Sequence, residues 1–253
     1  MEQVQLGLFI FIRITAFMVI SPVFSQKGIP NITKVILASA LMIVTISSVS
    51  NFVPIDNLFL FAFVVWKEVL FGLAMGFLSQ LVFTGVEIAG QMIDFQVGFS
   101  MAQAFDPTFG MMTSQYGKLY YWLTLMMVFL TNLHHYLIKG VINSFQLVPI
   151  GAVNMQGTTV EGVIKLFSLT FEMAIHLAAP LVISAVIVDL LLGMLSRTIP
   201  QINVLMMGMP MKTSISFIMF LLILPSTLEY LVKILPKSIQ YMNEFIRAIG
   251  QVR

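Results

Sequence analysis

Polar positions are so sparse along this chain that its apolar runs outline the elements directly. The first run, Val4–Phe24, is interrupted by Arg13 and closed by the breaker cluster Ser25-Gln26-Lys27-Gly28-Ile29-Pro30. The second, Val35–Val53, stops at Pro54 and Asp56. A third begins near Leu58 and meets no strong breaker until about Gly98. Such a stretch measures roughly 60 Å as continuous helix, against about 30 Å for a bilayer core. It therefore bends, turns back as a hairpin near Ser79–Gly90, or extends beyond the lipid. A polar break at Ala104–Lys118 precedes the aromatic-rich run Leu119–Leu133 and a polar patch at Asn132–His135. A short apolar segment then reaches Val148, Pro149 and Gly151, and Asn154–Thr159 reads as a linker. Val160–Leu195 is again long, with Glu172, His176, Pro180 and Asp189 inside it and Arg197–Gln201 as its punctuation. The last long run is Val204–Leu224, followed by an amphipathic tail from Pro225 to Arg253. The pattern predicts an all-α, polytopic membrane protein of long helical hairpins, with room for about six spans and no soluble domain.

Composition reinforces this reading. Apolar residues make up 58% of the chain and charged residues 9%, where ordinary soluble domains carry about a quarter charged residues. Without cysteine there is neither a disulfide framework nor a thiolate metal site. A net charge of +2 gives no reason to expect nucleic acid. Glu2 stands where a signal peptide would carry Lys or Arg, and no small-residue cleavage site follows, so the first run is expected to be retained. The tail carries Lys233, Lys237, Arg247 and Arg253 against Glu229 and Glu244, which places the C-terminus on the cytoplasmic side. By the same rule the connection with Lys27 and Lys34 is cytoplasmic and the one with Asp56 external. An odd number of spans then leaves the N-terminus outside.

Any chemistry has to come from polar residues held inside the apolar body. Arg13, Lys67, Glu68, Glu87, Asp94, Glu172, Asp189 and Lys212 all fall within apolar stretches. Each Asp, Lys or Arg at a span centre opposes insertion by about 2.5–3.5 kcal/mol, so such residues pair, face water, or lie outside the hydrocarbon. A proton or ion relay is one reading. Pairing between helices or subunits is favoured over it, since no regular acidic spacing marks a relay. Glu87 and Asp94 are seven apart and can share a helical face, which calls for a common basic partner or water. Gly72 and Gly76 form a GxxxG pattern that permits close helix approach, within the chain or to a partner. Glu172 and His176, four apart, can share a face, while His134 and His135 diverge. No HExxH, GxSxG, P-loop or GxGxxG pattern is present. Neither a cofactor nor a metal is expected, and enzymatic chemistry has no nucleophile or ligand set to stand on.

The run from Gly98 to Met112 is unusual because its breakers, Asp106-Pro107 and Gly110, alternate with large apolar side chains. Phe105, Phe109, Met111 and Met112 in a loop call for something apolar to touch. Two readings stand side by side: a loop tucked against the core, and a movable constriction that seals a passage, for which methionine's adaptable shape is suited.

At this loop and its flanks the chain resembles the R component of the type III export gate, the FliR family of flagella with SctT-type relatives in injectisomes. The resemblance covers nearly the whole chain. It rests on Arg13, Pro22 and Ile29-Pro30, then Glu68 with Gly72 and Gly76. Glu87-Ile88-Ala89-Gly90-Gln91-Met92-Ile93-Asp94 follows, with Gln96, Gly98 and Asp106-Pro107. Next come Asn143-Ser144-Phe145, Pro149-Ile150-Gly151 and Ala179-Pro180. Leu192-Gly193, Arg197, Pro200–Val204, Gly208 and Pro210 complete the series. One departure is visible: the family often has a glycine before the histidine after its mid-chain helix, where this chain reads Asn132-Leu133-His134-His135.

The resemblance implies a non-enzymatic subunit of one FliR-like domain: a P-like part over 1–155, a Q-like helical hairpin over 156–225 and a tail over 226–253. It implies assembly with P-type and Q-type subunits (FliP, FliQ) and an FlhB-type switch protein, one R subunit completing a ring made mostly of P copies. The location implied is the bacterial plasma membrane at the flagellar basal body, with membrane lipid around it and unfolded flagellar proteins as cargo. The Gly98–Gly117 loop, with Phe105, Asp106, Pro107, Phe109, Met111 and Met112, matches the family's channel plug. Arg13, Glu68, Glu87, Asp94 and Arg197 are the expected intramembrane or inter-subunit polar positions, and Gly72 and Gly76 the packing ones. The flagellum is favoured over the injectisome. The competing function is a secondary transporter moving a small solute with an ion, which predicts an internal repeat with broken helices. An intramembrane enzyme is the third class.

Overall fold

The computed structural model describes residues 2–47, 49, 52–99, 114–152, 158–199 and 204–250. Seven helices occupy the described residues: α1 (Glu2–Ile20), α2 (Asn31–Ile46), α3 (Leu58–Val97), α4 (Gln115–Leu130), α5 (Leu133–Leu147), α6 (Thr158–Thr198) and α7 (Val204–Gly250). No strand occurs among them. Four helical stretches are long and apolar enough to cross a membrane: Glu2–Ile20, Leu58–Val97, Gly162–Thr198 and Met207–Arg247. The count becomes five if α4 and α5 form one broken span, whereas α2 belongs to the shorter apolar helices. The all-α, polytopic expectation holds.

Helix boundaries follow from local chemistry. Asn57 caps α3, its Oδ1 accepting the Phe59 N–H at 2.9 Å. Gly98, at φ +101°, terminates the same helix in a backbone region closed to most L-residues. Ser114 opens α4 by accepting the Gly117 N–H at 2.8 Å. Between α4 and α5, Asn132 takes the left-handed conformation at φ 57°. Asparagine tolerates that region better than most residues, which accounts for a break without glycine. Two boundaries that the sequence leaves open are not used. The 40 residues of α3 run without a hairpin near Ser79–Gly90, because neither Ser79 nor any glycine there is a strong enough breaker in an apolar helix. The 47-residue α7 passes through Pro210, Pro225 and Pro236, so Pro225 does not end the helix that precedes the tail. Each proline removes one backbone donor.

The chain divides into two compact units. The first comprises Met1–Val82, Val128–Ser168 and Leu235–Arg253. Here α1 turns Leu6, Phe9, Ile10, Ile14 and Phe17 inward at helical spacing, and Arg13 occupies the same stripe. α1 lies along α3 so closely that a Cβ on Gly72 would sit 2.5 Å from the Arg13 carbonyl oxygen, and one on Gly76 2.8 Å from that of Phe17. The GxxxG pattern therefore serves a helix crossing within the chain.

The second unit comprises Phe83–Met127 and Leu169–Ile234, taking in parts of α3, α4, α6 and α7. Its core includes Val86, Ala89, Ile93, Tyr116, Tyr120, Met173, Leu177, Leu181 and Phe220. The Tyr116 and Tyr120 rings meet Phe220 edge-on at 5.9 and 5.8 Å. The Tyr116 hydroxyl pairs with Ser216 Oγ at 2.9 Å, and Tyr120 donates to the Leu177 carbonyl at 3.3 Å. α3 and α4 touch through bare backbone, since a Cβ on Gly90 would collide with the main chain of Tyr116 and Gly117.

This contact generates a paired prediction. Gly90→Ala should destabilise the protein by about 1–3 kcal/mol, because backbone cannot move aside as a flexible side chain can. Gly193→Ala, where a Cβ meets nothing within 4 Å, should instead be neutral or stabilising by up to about 1 kcal/mol through helix propensity. Unfolding in mixed detergent, followed by circular dichroism, measures both.

Candidate functional site

Two polar junctions stand out, one in each unit. The first is centred on Arg13, which is fully buried, as is its partner Glu68. A buried guanidinium needs acceptors for its donors, and the surrounding elements supply them. Arg13 Nε donates to Glu68 Oε2 at 2.5 Å. Nη1 reaches Ser144 Oγ at 3.2 Å and the Val148 carbonyl at 3.1 Å, and Nη2 reaches the same carbonyl at 3.2 Å. The Phe71 and Phe145 rings lie 4.8 and 4.1 Å from the guanidinium carbon, close enough for cation–π attraction. The second carboxylate oxygen of Glu68 accepts the Gly151 N–H at 3.0 Å. Gly151 sits at φ +78°, a turn that glycine adopts without steric penalty. Lys67, one residue before Glu68, donates to the Gly151 carbonyl at 3.3 Å. One ion pair thereby joins α1, α3, the end of α5 and the turn after it.

The second junction is at Asp94, near the end of α3. Its carboxylate accepts the backbone N–H groups of Gln115 at 2.7 Å and Tyr116 at 3.3 Å. These are orphan donors at the start of α4, where a negative charge is also favoured by the helix dipole. Together with the Gly90–Gly117 contact, Asp94 brings the two borders of the Phe99–Ser114 stretch to one place. A cavity of about 370 Å³, lined by Val97, Gly98, Phe99, Met209, Pro210, Thr213 and Ser214, opens beside the first border.

The other expected residues divide clearly. Glu87 is exposed and Arg197 is exposed. Among the described residues Glu87 and Asp94 share no basic partner, and Asp94 accepts two backbone amides instead. Phe105, Asp106, Pro107, Phe109, Met111 and Met112 lie outside the described residues. Sequence reasoning did not pair Asp189 with Lys212, yet they form an ion pair to which Gln96 adds a 3.1 Å hydrogen bond on Asp189 Oδ2. Opposite charges in two apolar runs, both with exposed partners to choose from, offered no signal of which would meet. Among the described residues, no group of three or more His, Asp or Glu could hold a metal ion.

The family described as bacterial export proteins, family 1, matches residues 4–237. The chain belongs to that family. The match takes in all the side chains of both junctions. Flagellar biosynthetic protein FliR of Bacillus subtilis (strain 168) is 31% identical over 246 residues, covering 96% of this chain and 95% of the relative. FliR of Aquifex aeolicus (strain VF5) is 32% identical over 217 residues, with 85% and 83% covered. FliR of Escherichia coli (strain K12) is 27% identical over 215 residues, with 85% and 82% covered. The resemblance drawn from short fragments is thus upheld across nearly the whole length.

The Arg13 junction makes a sharp prediction for this family member. Arg13→Met or Glu68→Leu alone should each destabilise by about 3–5 kcal/mol, because each strands a buried charge. The double variant should be markedly less harmful than either single change. Arg13→Lys should fail to restore stability, since an ammonium lacks the planar fork that serves Glu68, Ser144 and Val148 together. Unfolding midpoints of the four variants in detergent test the set.

Proposed function

We propose that this protein is a structural and plug subunit of the flagellar type III export gate, helping to form and close the channel through which unfolded flagellar proteins leave the cell. Its family and its four membrane-length helices support the setting: a multi-pass subunit of the bacterial inner membrane at the flagellar basal body, with the C-terminal tail cytoplasmic. Its partners on this reading are P-type and Q-type gate subunits, FliP and FliQ, and an FlhB-type switch protein. No catalytic role is assigned to it.

The observation that carries the plug is the Asp94 junction. A stretch bearing Phe105, Phe109, Met111 and Met112 leaves α3 and returns at α4, and both borders are held by hydrogen bonds that do not involve those side chains. Large apolar groups exclude water and ions from a narrow passage. Each gives up mainly burial when displaced, about 1.5–3 kcal/mol for a large side chain, which a driven export machine can supply. The scaffold role draws on the uncovered apolar surface. α2 buries only Ala38 and Thr45, leaving Ile32, Ile36, Ile43 and Val44 at least 60% exposed. The family match along residues 4–237 favours this reading over a coupled solute transporter.

Deleting Ala104–Met112 should leave assembly largely intact while making the reconstituted complex conduct ions. Equal, near-zero conductance with and without the segment, in a complex of verified composition, would falsify the plug. Expressed alone, the chain should be degraded or polydisperse, and co-expression with P- and Q-type subunits should rescue it. A stable monomer that takes up solute in liposomes would favour the transporter.

A further inference from the structure

A third polar cluster lies in the second unit, away from both junctions. Glu172 and His176 are one turn apart on α6, within the membrane-length stretch Gly162–Thr198, and both are exposed. Their neighbours Phe171 and Ile175 are 56% and 57% exposed, so the pair forms a polar island on an apolar surface. Across from them on α7 the Tyr230 ring stacks on His176, with centroids 5.4 Å apart and planes at 27°. The Tyr230 hydroxyl oxygen is buried yet has no hydrogen-bond partner among the described residues. Glu229 and Lys233 flank Tyr230 on α7, both exposed. Among the described residues neither Glu172 nor Lys233 enters an ion pair.

Among the described residues nothing completes these features, whereas a group from outside the chain would. An unmet buried hydroxyl is costly, and hydrogen-bonding capacity left open beside a carboxylate in an apolar span is costlier still. Lipid tails bring no donors. A neutral helix would cover Phe171 and Ile175 but leave the carboxylate uncompensated. We infer that Glu172, His176 and Tyr230 form a docking site for an apolar helix of another subunit, which inserts a lysine or arginine side chain against Glu172 and the Tyr230 hydroxyl. The charge fits, since Glu172 presents a carboxylate on this part of the α6 surface. The chemistry also fits: a cationic donor satisfies the carboxylate and gives the phenolic oxygen the donor it lacks. Phe171 and Ile175 supply the apolar rim that excludes water around the pair.

This inference rests on the proposed assembly with P- and Q-type subunits, and the experiment separates the two. The affinity-tagged chain is co-expressed with those subunits, and the complex is recovered in mild detergent. Glu172→Gln and Tyr230→Phe, both nearly isosteric, should each lower recovery of one partner by about tenfold or more, as truncation of a desolvated charge pair does. Glu172→Lys should abolish it by opposing like charges. A photo-crosslinking amino acid at Ile175 should capture one partner subunit, at a peptide with a lysine or arginine inside an apolar run. Helical content of the purified variants, measured by circular dichroism, should match the parent. If the parent chain recovers no partner, the assembly reading fails and takes the site with it. If the parent recovers its partners and all three variants do equally well, the docking site alone is overturned. Crosslinks only to lipid, or only to a second copy of this chain, overturn it also.

Discussion

A guanidinium buried without water has to be met on every side, and the first unit is arranged around that demand. Arg13 stands in the stripe of α1 that otherwise carries Leu6, Phe9, Ile10, Ile14 and Phe17. Removing it from water is expensive, and the expense is offset only when Glu68, Ser144 and the Val148 carbonyl are all in place. Those acceptors come from α3, from α5 and from the turn beyond it, segments separated by 55 to 135 positions along the chain. A core of apolar side chains tolerates small slips in register. This pair does not, because a shift of one residue on any of the three segments leaves a buried charge unanswered. The stability it adds is modest beside its effect on which arrangement of these greasy helices is allowed.

Much of the architecture was legible from hydropathy, and the reason is simple: helices in an apolar medium satisfy their own backbone, so long apolar runs become helices. The starts of α3 and α6 and the break at Asn132 fell close to their expected places. The departures share one cause: breaker residues act differently in water and inside an apolar body. Ser79–Gly90 leaves a hairpin open as one of three courses and Pro225 bounds the last apolar run, yet α3 and α7 pass through both regions. In a chain with few exposed loops, a proline or glycine inside an apolar run is more often packed than turned.

The polar residues were legible as a set but not as pairs. Arg13 and Glu68 were marked because charges in apolar runs are conspicuous, and Gly72 and Gly76 because their spacing is. What the sequence could not convey was partner choice. α1 is apolar on all faces, so no periodicity reveals which side is buried. The spacing of Glu87 and Asp94 calls for a common basic partner or water, and Asp94 instead binds two backbone amides, groups that carry no sequence signature. The Asp189–Lys212 pair, with Gln96, went unforeseen for the same reason.

The way Asp94 holds the start of α4 has a consequence for how this protein can vary. When the two borders of a connecting stretch are fixed by contacts of their own, their meeting does not depend on the length of the stretch between them. The entropy of closing such a connection rises only with the logarithm of its length, by about 0.6 kcal/mol for each doubling in a flexible loop. On the side of chain-closure entropy, changes in the length of the connection between Phe99 and Ser114 are therefore inexpensive, provided that Gly90, Asp94 and Gly117 are untouched. The contact between α3 and α4 can then persist while the length of the connection between them changes.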